Sequence, residues 1–252
     1  MSIAQLKNLC LEMKLQGFLL SLDQTLKEAS DEAWSPPEIL DTLLQAEHDF
    51  REQRKTQTRI KSSRLKQKAS LEDFDFSAKR NLNKSQIKDL YSLQWLRQGR
   101  PLLIMGQTGV GKTFLAEALG LQACRNQCTT LFLSMSSLIE NLILSRTSGS
   151  YLKFRDKISK PQLLIIDDFG LKKLTTTEAH DLCEILEERS TEKSTVITTQ
   201  LPLSHWKEVI PDPVIADAII DRLIHAAIKL TITGESYRKV KAQKLDSRKE
   251  AA

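Results

Sequence analysis

Gly106-Gln107-Thr108-Gly109-Val110-Gly111-Lys112-Thr113 is the stretch from which the fold of this chain can be read. It fits G-x-x-x-x-G-K-[ST], the pattern of a loop that cradles phosphates. An apolar run, Leu102-Leu103-Ile104-Met105, leads in, and a helix-like spacing of Phe114, Leu115, Ala118 and Leu119 leads out. Strand, glycine loop and helix form the context that the motif needs. The glycines let consecutive backbone N–H groups turn inward on a polyphosphate, and the helix N-terminus adds partial positive charge. In that geometry Gly106, Gln107, Thr108, Gly109, Val110, Gly111 and Phe114 line a nucleotide. Lys112 reaches the β- and γ-phosphates, and the Thr113 hydroxyl binds Mg²⁺. The competing reading is a glycine turn that happens to precede a lysine, and the flanking strand and helix weigh against it.

A second motif completes the first. Leu163-Leu164-Ile165-Ile166-Asp167-Asp168 is an apolar strand ending in two acids, far enough downstream for a helix, a strand and a helix to intervene. This is the form of a Walker B strand. Asp167 would hold Mg²⁺, directly or through water, and Asp168 would orient the water that attacks the γ-phosphate. Acidic turn residues after a strand are common, but here they follow a phosphate loop in the right order. The stretch Thr195-Val196-Ile197-Thr198-Thr199 reads as a strand lying between the loop strand and the Asp167 strand. Thr199 or Gln200 at its end could bond the attacking water or the γ-phosphate; an ordinary polar strand end is the alternative. Arg222, in Asp217-Ala-Ile-Ile-Asp-Arg-Leu223, could reach a nucleotide on a neighbouring subunit, or simply pair with Asp217 or Asp221.

Working outward, the alternation continues. Strands are expected at 102–105, 129–134, 163–167, 195–199 and 228–233, with helices at 135–146, 176–189 and 214–227 between them. Near-continuous apolar strands alternating with helices predict an α/β fold, a five-stranded parallel sheet covered on both faces. Upstream, Ile87, Leu90, Tyr91, Leu93, Trp95 and Leu96 give an apolar-rich helix. Residues 3–29 read as helical, with Gly17 separating two short helices. Ser35-Pro36-Pro37-Glu38 is a helix start with Ser35 as cap, Pro36 at the first position and Glu38 closing a capping box. The apolar face of that helix would be Ile39, Leu40, Leu43, Leu44 and Phe50. The expected division is a small helical N-terminal domain over 1–69, a nucleotide-binding domain over 70–235, with 71–76 as its lead-in, and a basic tail over 236–252.

Composition narrows the function classes. Of 252 residues, 40% are hydrophobic, enough for a packed core rather than disorder, and the net charge of +5 is only mildly basic. The charge is concentrated at 51–68, where Arg51, Arg54, Lys55, Arg59, Lys61, Arg64, Lys66 and Lys68 face one acid, Glu52. Such a run is either a solvated helix end or linker, or an arm that neutralises nucleic-acid phosphates. It carries no interleaved aromatics, so stacking on single-stranded bases is not indicated. Cys10, Cys124, Cys128 and Cys183, with His48, His180, His205 and His225, form no metal-ligand spacing. No N-terminal signal and no bilayer-length apolar run are visible, so a soluble, reducing, cytoplasmic setting without membrane contact is expected.

Taken together, these residues resemble the AAA+ P-loop ATPases, and within them the IstB-like helper ATPases of bacterial insertion sequences, relatives of the DnaC helicase loader. The likeness rests on the helical N-terminus, 71–76, Gly106 to Thr113, Leu-Leu-Ile-Ile-Asp-Asp-Phe-Gly at 163–170, Thr-Thr-Gln-Leu-Pro at 198–202, Asp221-Arg222-Leu223 and Gly-Glu-Ser-Tyr-Arg at 234–238. It implies ATP and Mg²⁺ as cofactors and ATP-dependent self-association on double-stranded DNA. It also implies a cognate transposase whose strand transfer is stimulated. It makes Arg222 a trans-acting arginine finger, Arg238 the remnant of a second nucleotide sensor, and the 51–68 segment a DNA contact. Asp168 stands where the wider superfamily has glutamate, one methylene longer. Two other functions fit the same loop. A DnaC-like loader of a replicative helicase would use the N-terminal helices as a docking surface. A small-molecule kinase would carry a lid over a metabolite, and the double aspartate and basic segment argue against it.

Overall fold

The apolar runs pair into one sheet. The structure, a computed structural model, describes residues 2–66, 69, 81–190 and 192–236. The strands are β1 (Leu102–Gly106), β2 (Thr130–Ser134), β3 (Leu163–Phe169), β4 (Ser194–Thr199) and β5 (Ile228–Ile232), all parallel, in the order β2-β3-β4-β1-β5. The β4 strand therefore lies between the loop strand and the aspartate strand, as the sequence implied. Alternate residues feed opposite faces. Leu102, Ile104, Leu163, Ile165 and Val196 enter one core cluster, and Leu103, Leu164, Ile166 and Ile197 enter the other. Each such side chain, removed from water, contributes about 1.5–3 kcal/mol.

Helices cover both faces. α4 (Lys84–Tyr91), α5 (Gln94–Arg97) and α6 (Lys112–Arg125) pack over the first cluster. α7 (Met135–Thr147), α8 (Tyr151–Ser159), α9 (Thr176–Arg189), α10 (Trp206–Val209) and α11 (Pro213–Ile224) pack over the second. Several boundaries differ from the expected ones for local reasons. The single helix before β1 is two, broken where Leu93 takes φ 58°. The last helix stops at Ile224 rather than 227. α8, which seats Ile158 against the second cluster, has no counterpart in the sequence reading.

The α8–β3 junction is held by one buried cation. Arg189, 1% exposed, donates to the carbonyls of Ile158, Ser159, Pro161 and Ser194 and to Thr195 Oγ1, at 2.7–3.2 Å. Burial pulls its guanidinium down to about 10.

The chain divides into two compact units, Met1–Thr58 and Arg59–Ala252. The first contains α1 (Ile3–Glu12), α2 (Gln16–Asp31) and most of α3 (Pro36–Ser62). Its break is not at Gly17 but at Lys14, which takes φ 58°; Gly17 lies inside α2. Glycine is required there by proximity, since a Cβ would come within 2.5 Å of the Ala46 carbonyl oxygen. The buried Glu47 carboxylate accepts from the N–H groups of Gly17 (2.7 Å) and Phe18 (3.1 Å), so a side chain of α3 caps α2. Burial raises its pKa, but the bonds from Phe18, Arg51 and Gly17 outweigh that and hold it below the usual carboxylate range. α3 starts at Pro36, with the Ser35 N–H donating to Glu38 at 2.7 Å. Of its expected apolar face only Leu43 is buried; Leu40 and Leu44 are exposed.

The expected boundary at 69–70 lies beyond the one between these units because residues at the end of the basic run belong to the sheet domain's core. Ile60 and Leu65 are buried in the first cluster, and the Ser63 carbonyl accepts from the Phe132 N–H of β2 at 2.8 Å. Residues 71–76, Lys68, Arg238 and the rest of the tail from 237 lie outside the described residues. Among the described residues no helix is long and apolar enough to cross a membrane.

Candidate nucleotide site

The loop between β1 and α6 depends on its glycines. Gly106, Gly109 and Gly111 take φ values of 150°, 84° and 104°, where side chains are rarely tolerated. A Cβ on Gly106 would collide with the Ile232 carbonyl of β5, and one on Gly109 with the Ser236 hydroxyl. Gly111 is the N-cap of α6, so the first-turn amides and the positive end of the helix open onto the loop. Val110 is fully buried and anchors the loop to the core, while Gln107 and Thr108 are exposed. Lys112, 5% exposed, donates to the Gln107 carbonyl at 2.9 Å, which folds its ammonium back into the loop. Phe114, half-buried, packs against the first core cluster.

The loop and the aspartate strand meet directly. The Thr113 hydroxyl lies 3.0 Å from both carboxylate oxygens of Asp167. Asp167 is 6% exposed and also accepts from the Thr198 hydroxyl at 2.5 Å. Burial pushes its carboxyl above the ordinary range, and neighbouring Asp168 adds to this. Thr198, Thr113 and Lys112 pull the other way without reversing it. One buried carboxylate and one half-buried hydroxyl beside a phosphate loop are chemistry suited to Mg²⁺, which keeps several waters and takes few protein ligands. Thr113 and Asp167 are the residues here that can hold the ion.

Asp168 follows in a left-handed conformation, φ 59°, at an irregularity of β3 that breaks the ladder between Ile166 and Phe169. Its N–H donates to Thr198 Oγ1 at 3.0 Å, and it is half-buried at a cleft of about 250 Å³ shared with Ser134, Ser136 and Glu178. Another cleft, of about 480 Å³, adjoins the loop at Gly106, Gln107 and Gln200 and is walled by residues 201–203 and 231–234. Gln200 accepts from the Thr108 hydroxyl at 2.7 Å, which ties the end of β4 to the phosphate loop. Thr199 is turned elsewhere. Its hydroxyl donates to the Phe169 carbonyl at 2.8 Å and accepts from the Leu201 N–H at 3.0 Å.

Arg222 on α11 donates to the Ala218 carbonyl at 3.0 Å and pairs with Glu187 of α9 at 3.1 Å. Neither expected acid holds it. Asp217 pairs with Lys207 at 2.5 Å, and Asp221 lies 3.4 Å from His225. In the basic run, Arg51 pairs with Glu47 at 2.6 Å, Lys55 with Glu52 at 2.7 Å, and Arg54 lies over the Phe50 ring. Arg59 is half-buried, and Lys61, Arg64 and Lys66 are exposed. Cys124 and Cys128 are free thiols raised by burial, and no cluster of three or more metal-binding acids, histidines or cysteines occurs among the described residues.

A family model for the IstB-like ATP binding protein matches residues 5–245. The chain belongs to the IstB-like ATP-binding family. Among its IstB-like relatives is an insertion sequence ATP-binding protein of Sinorhizobium fredii, y4pL, 38% identical over 92% of this chain and 95% of that protein. The IS21 ATP-binding protein of Pseudomonas aeruginosa is 30% identical over 93% of this chain and 88% of that protein. Among solved structures, the DnaC helicase loader overlays with a TM-score of 0.56 at 21% identity, covering 66% of this chain and 98% of that one. The replication initiator DnaA bound to AMPPCP and single-stranded DNA gives 0.59 at 19% identity, covering 73% of this chain and 56% of that one. The IstB-like chain described here is therefore an ATPase of the AAA+ P-loop fold, associated with insertion sequences.

The sequence reading missed Thr198. Strand alternation carried the signal: successive residues of β4 face opposite ways, so only one of Thr198 and Thr199 can meet the aspartate.

Proposed function

We propose that this IstB-like ATPase is the helper protein of an insertion sequence, assembling on duplex DNA in its ATP-bound form and stimulating its partner transposase. The observation that carries the reading is the Thr113–Asp167 contact, which closes a phosphate loop over a buried acid in a chain of insertion-sequence kinship. In this reading Lys112 exchanges the Gln107 carbonyl for the β- and γ-phosphates, and the loop amides hold the remaining oxygens. Thr113 and Asp167 hold Mg²⁺, which when bound neutralises charge on the phosphate oxygens. Asp168 orients the attacking water. Gln200, held by Thr108, is the polar group at the end of β4 that serves the γ-phosphate, rather than Thr199. Arg222 leaves Glu187 to complete a neighbour's site, and Arg238 serves as a second sensor. Lys61, Arg64 and Lys66, with Arg51, Arg54, Lys55, Arg59 and Lys68, neutralise DNA phosphates. The domain plan read from the sequence, 1–69, 70–235 and 236–252, assigns DNA and partner contacts to the first part and nucleotide to the second.

The test is binding of labelled duplex DNA across a salt series, with and without Mg²⁺-ATP, together with particle size by sedimentation. The expected result is salt-sensitive, ATP-dependent binding by a multimer, abolished in Lys112→Ala along with ATP affinity. A wild-type protein that ignores duplex DNA at low salt overturns the DNA part. Unchanged ATP affinity in Lys112→Ala overturns the loop assignment. Pull-down by a replicative helicase instead of the transposase replaces the partner assignment.

A further inference from the structure

The nucleotide site as described leaves one buried acid beside it without a task. Glu117 lies on α6, four residues after Thr113 and so on the same helix face one turn along. It is 5% exposed, and its Oε1 has no hydrogen-bond partner. The charged groups that bear on it are Lys66 and Asp167, and the Lys66 backbone N–H also bonds to it. A buried carboxyl with an idle oxygen is costly to keep unless something binds it. Two acids drawn together without a cation repel. Mg²⁺ is held through few protein ligands and several waters, which need acceptors of their own.

We propose that Glu117 is a positioning residue of the metal site, its free oxygen accepting a hydrogen bond from a water of the ion held by Thr113 and Asp167. This rests on the nucleotide reading above. Glu117 touches no phosphate and acts through the ion's hydration shell. Lys66, at the end of the basic run, is the cation that bears on Glu117 and pulls its carboxyl down against burial. A carboxyl present only to pair with Lys66 would leave metal binding indifferent to its replacement.

The experiment measures affinity for a fluorescent ATP analogue first in EDTA and then across a Mg²⁺ titration, for wild type, Glu117→Gln and Asp167→Asn. Glu117→Gln keeps the side chain's volume, and its melting temperature verifies the fold. The expected result is an EDTA affinity equal to wild type and a Mg²⁺ enhancement reduced about tenfold, the scale of losing a partner to a metal's hydration or ligand groups. A folded Glu117→Gln protein with the wild-type Mg²⁺ enhancement overturns the proposal, while loss of the enhancement in Asp167→Asn shows that the ion still binds as read. If wild type binds no nucleotide in either buffer, the nucleotide reading fails and this inference fails with it. The two failures are therefore distinct.

Discussion

Replacing Thr198 by valine removes one hydroxyl near the C-terminal end of β4 and keeps the β-branched shape that the strand favours. That hydroxyl donates to the Asp167 carboxylate at 2.5 Å and accepts the Asp168 N–H at 3.0 Å. The bond to a charged acceptor is worth about 1.5–3 kcal/mol, and leaving a buried N–H unmade costs about 1–3 kcal/mol. Asp168 is half-buried, so water recovers part of the second loss, and a net destabilisation of about 3 kcal/mol is expected. Asp167 loses the strongest of the groups that hold its carboxyl down, so its pKa rises further and Mg²⁺ has to displace a proton more often. Urea unfolding followed by tryptophan emission measures the first effect, since Trp95 and Trp206 are both buried in the sheet domain. The Mg²⁺ dependence of ATP affinity near neutral pH measures the second. A Thr198→Val protein that loses less than about 1 kcal/mol and keeps its Mg²⁺ dependence refutes the reasoning.

Three further outcomes follow from the geometry. Glu47 is held below the usual carboxylate range when folded, so its stabilisation is complete above its unfolded value and disappears as pH falls through the folded one. Glu47→Gln should therefore cost the N-terminal unit about 1–2 kcal/mol at neutral pH and flatten its acid limb, read by Trp34 emission during unfolding down to about pH 3. Arg189→Met should cost at least about 3 kcal/mol, because the carbonyls of Ile158, Ser159, Pro161 and Ser194 lose their donor inside the fold; thermal melting measures this. Gly109→Ala should keep the fold but weaken ATP binding by more than about tenfold, since φ 84° and the Ser236 side chain both oppose a Cβ; equilibrium nucleotide titration decides it.

The sheet was legible because its strands are buried on both sides, so each is an apolar run that needs no periodicity to be seen. The phosphate loop was legible because only glycine satisfies its backbone. What stayed hidden has a common cause. The direction of Thr198 against Thr199, the partner of Arg222 and the capping of Gly17 by Glu47 depend on which elements become neighbours, and that is not local information. Ile3 and Leu9 of α1, and Met13 just after it, are apolar yet exposed, because a short helical unit has little interior to offer. Ile60 and Leu65, toward the end of the basic run, are buried in the first core cluster, which a run of charges does not announce.

The kink at residue 168 bears on the chemistry of the acid found there. A regular strand would send consecutive aspartates to opposite sides, and the irregularity of β3 relaxes that rule where the second acid is wanted. A positive φ, however, selects among side chains: aspartate and asparagine tolerate it better than longer or branched residues. The shorter acid is thus the one that this turn of backbone accommodates most readily. On the proposed reading, lengthening it to glutamate would gain reach toward the γ-phosphate and lose conformational ease, so the position trades distance against backbone comfort.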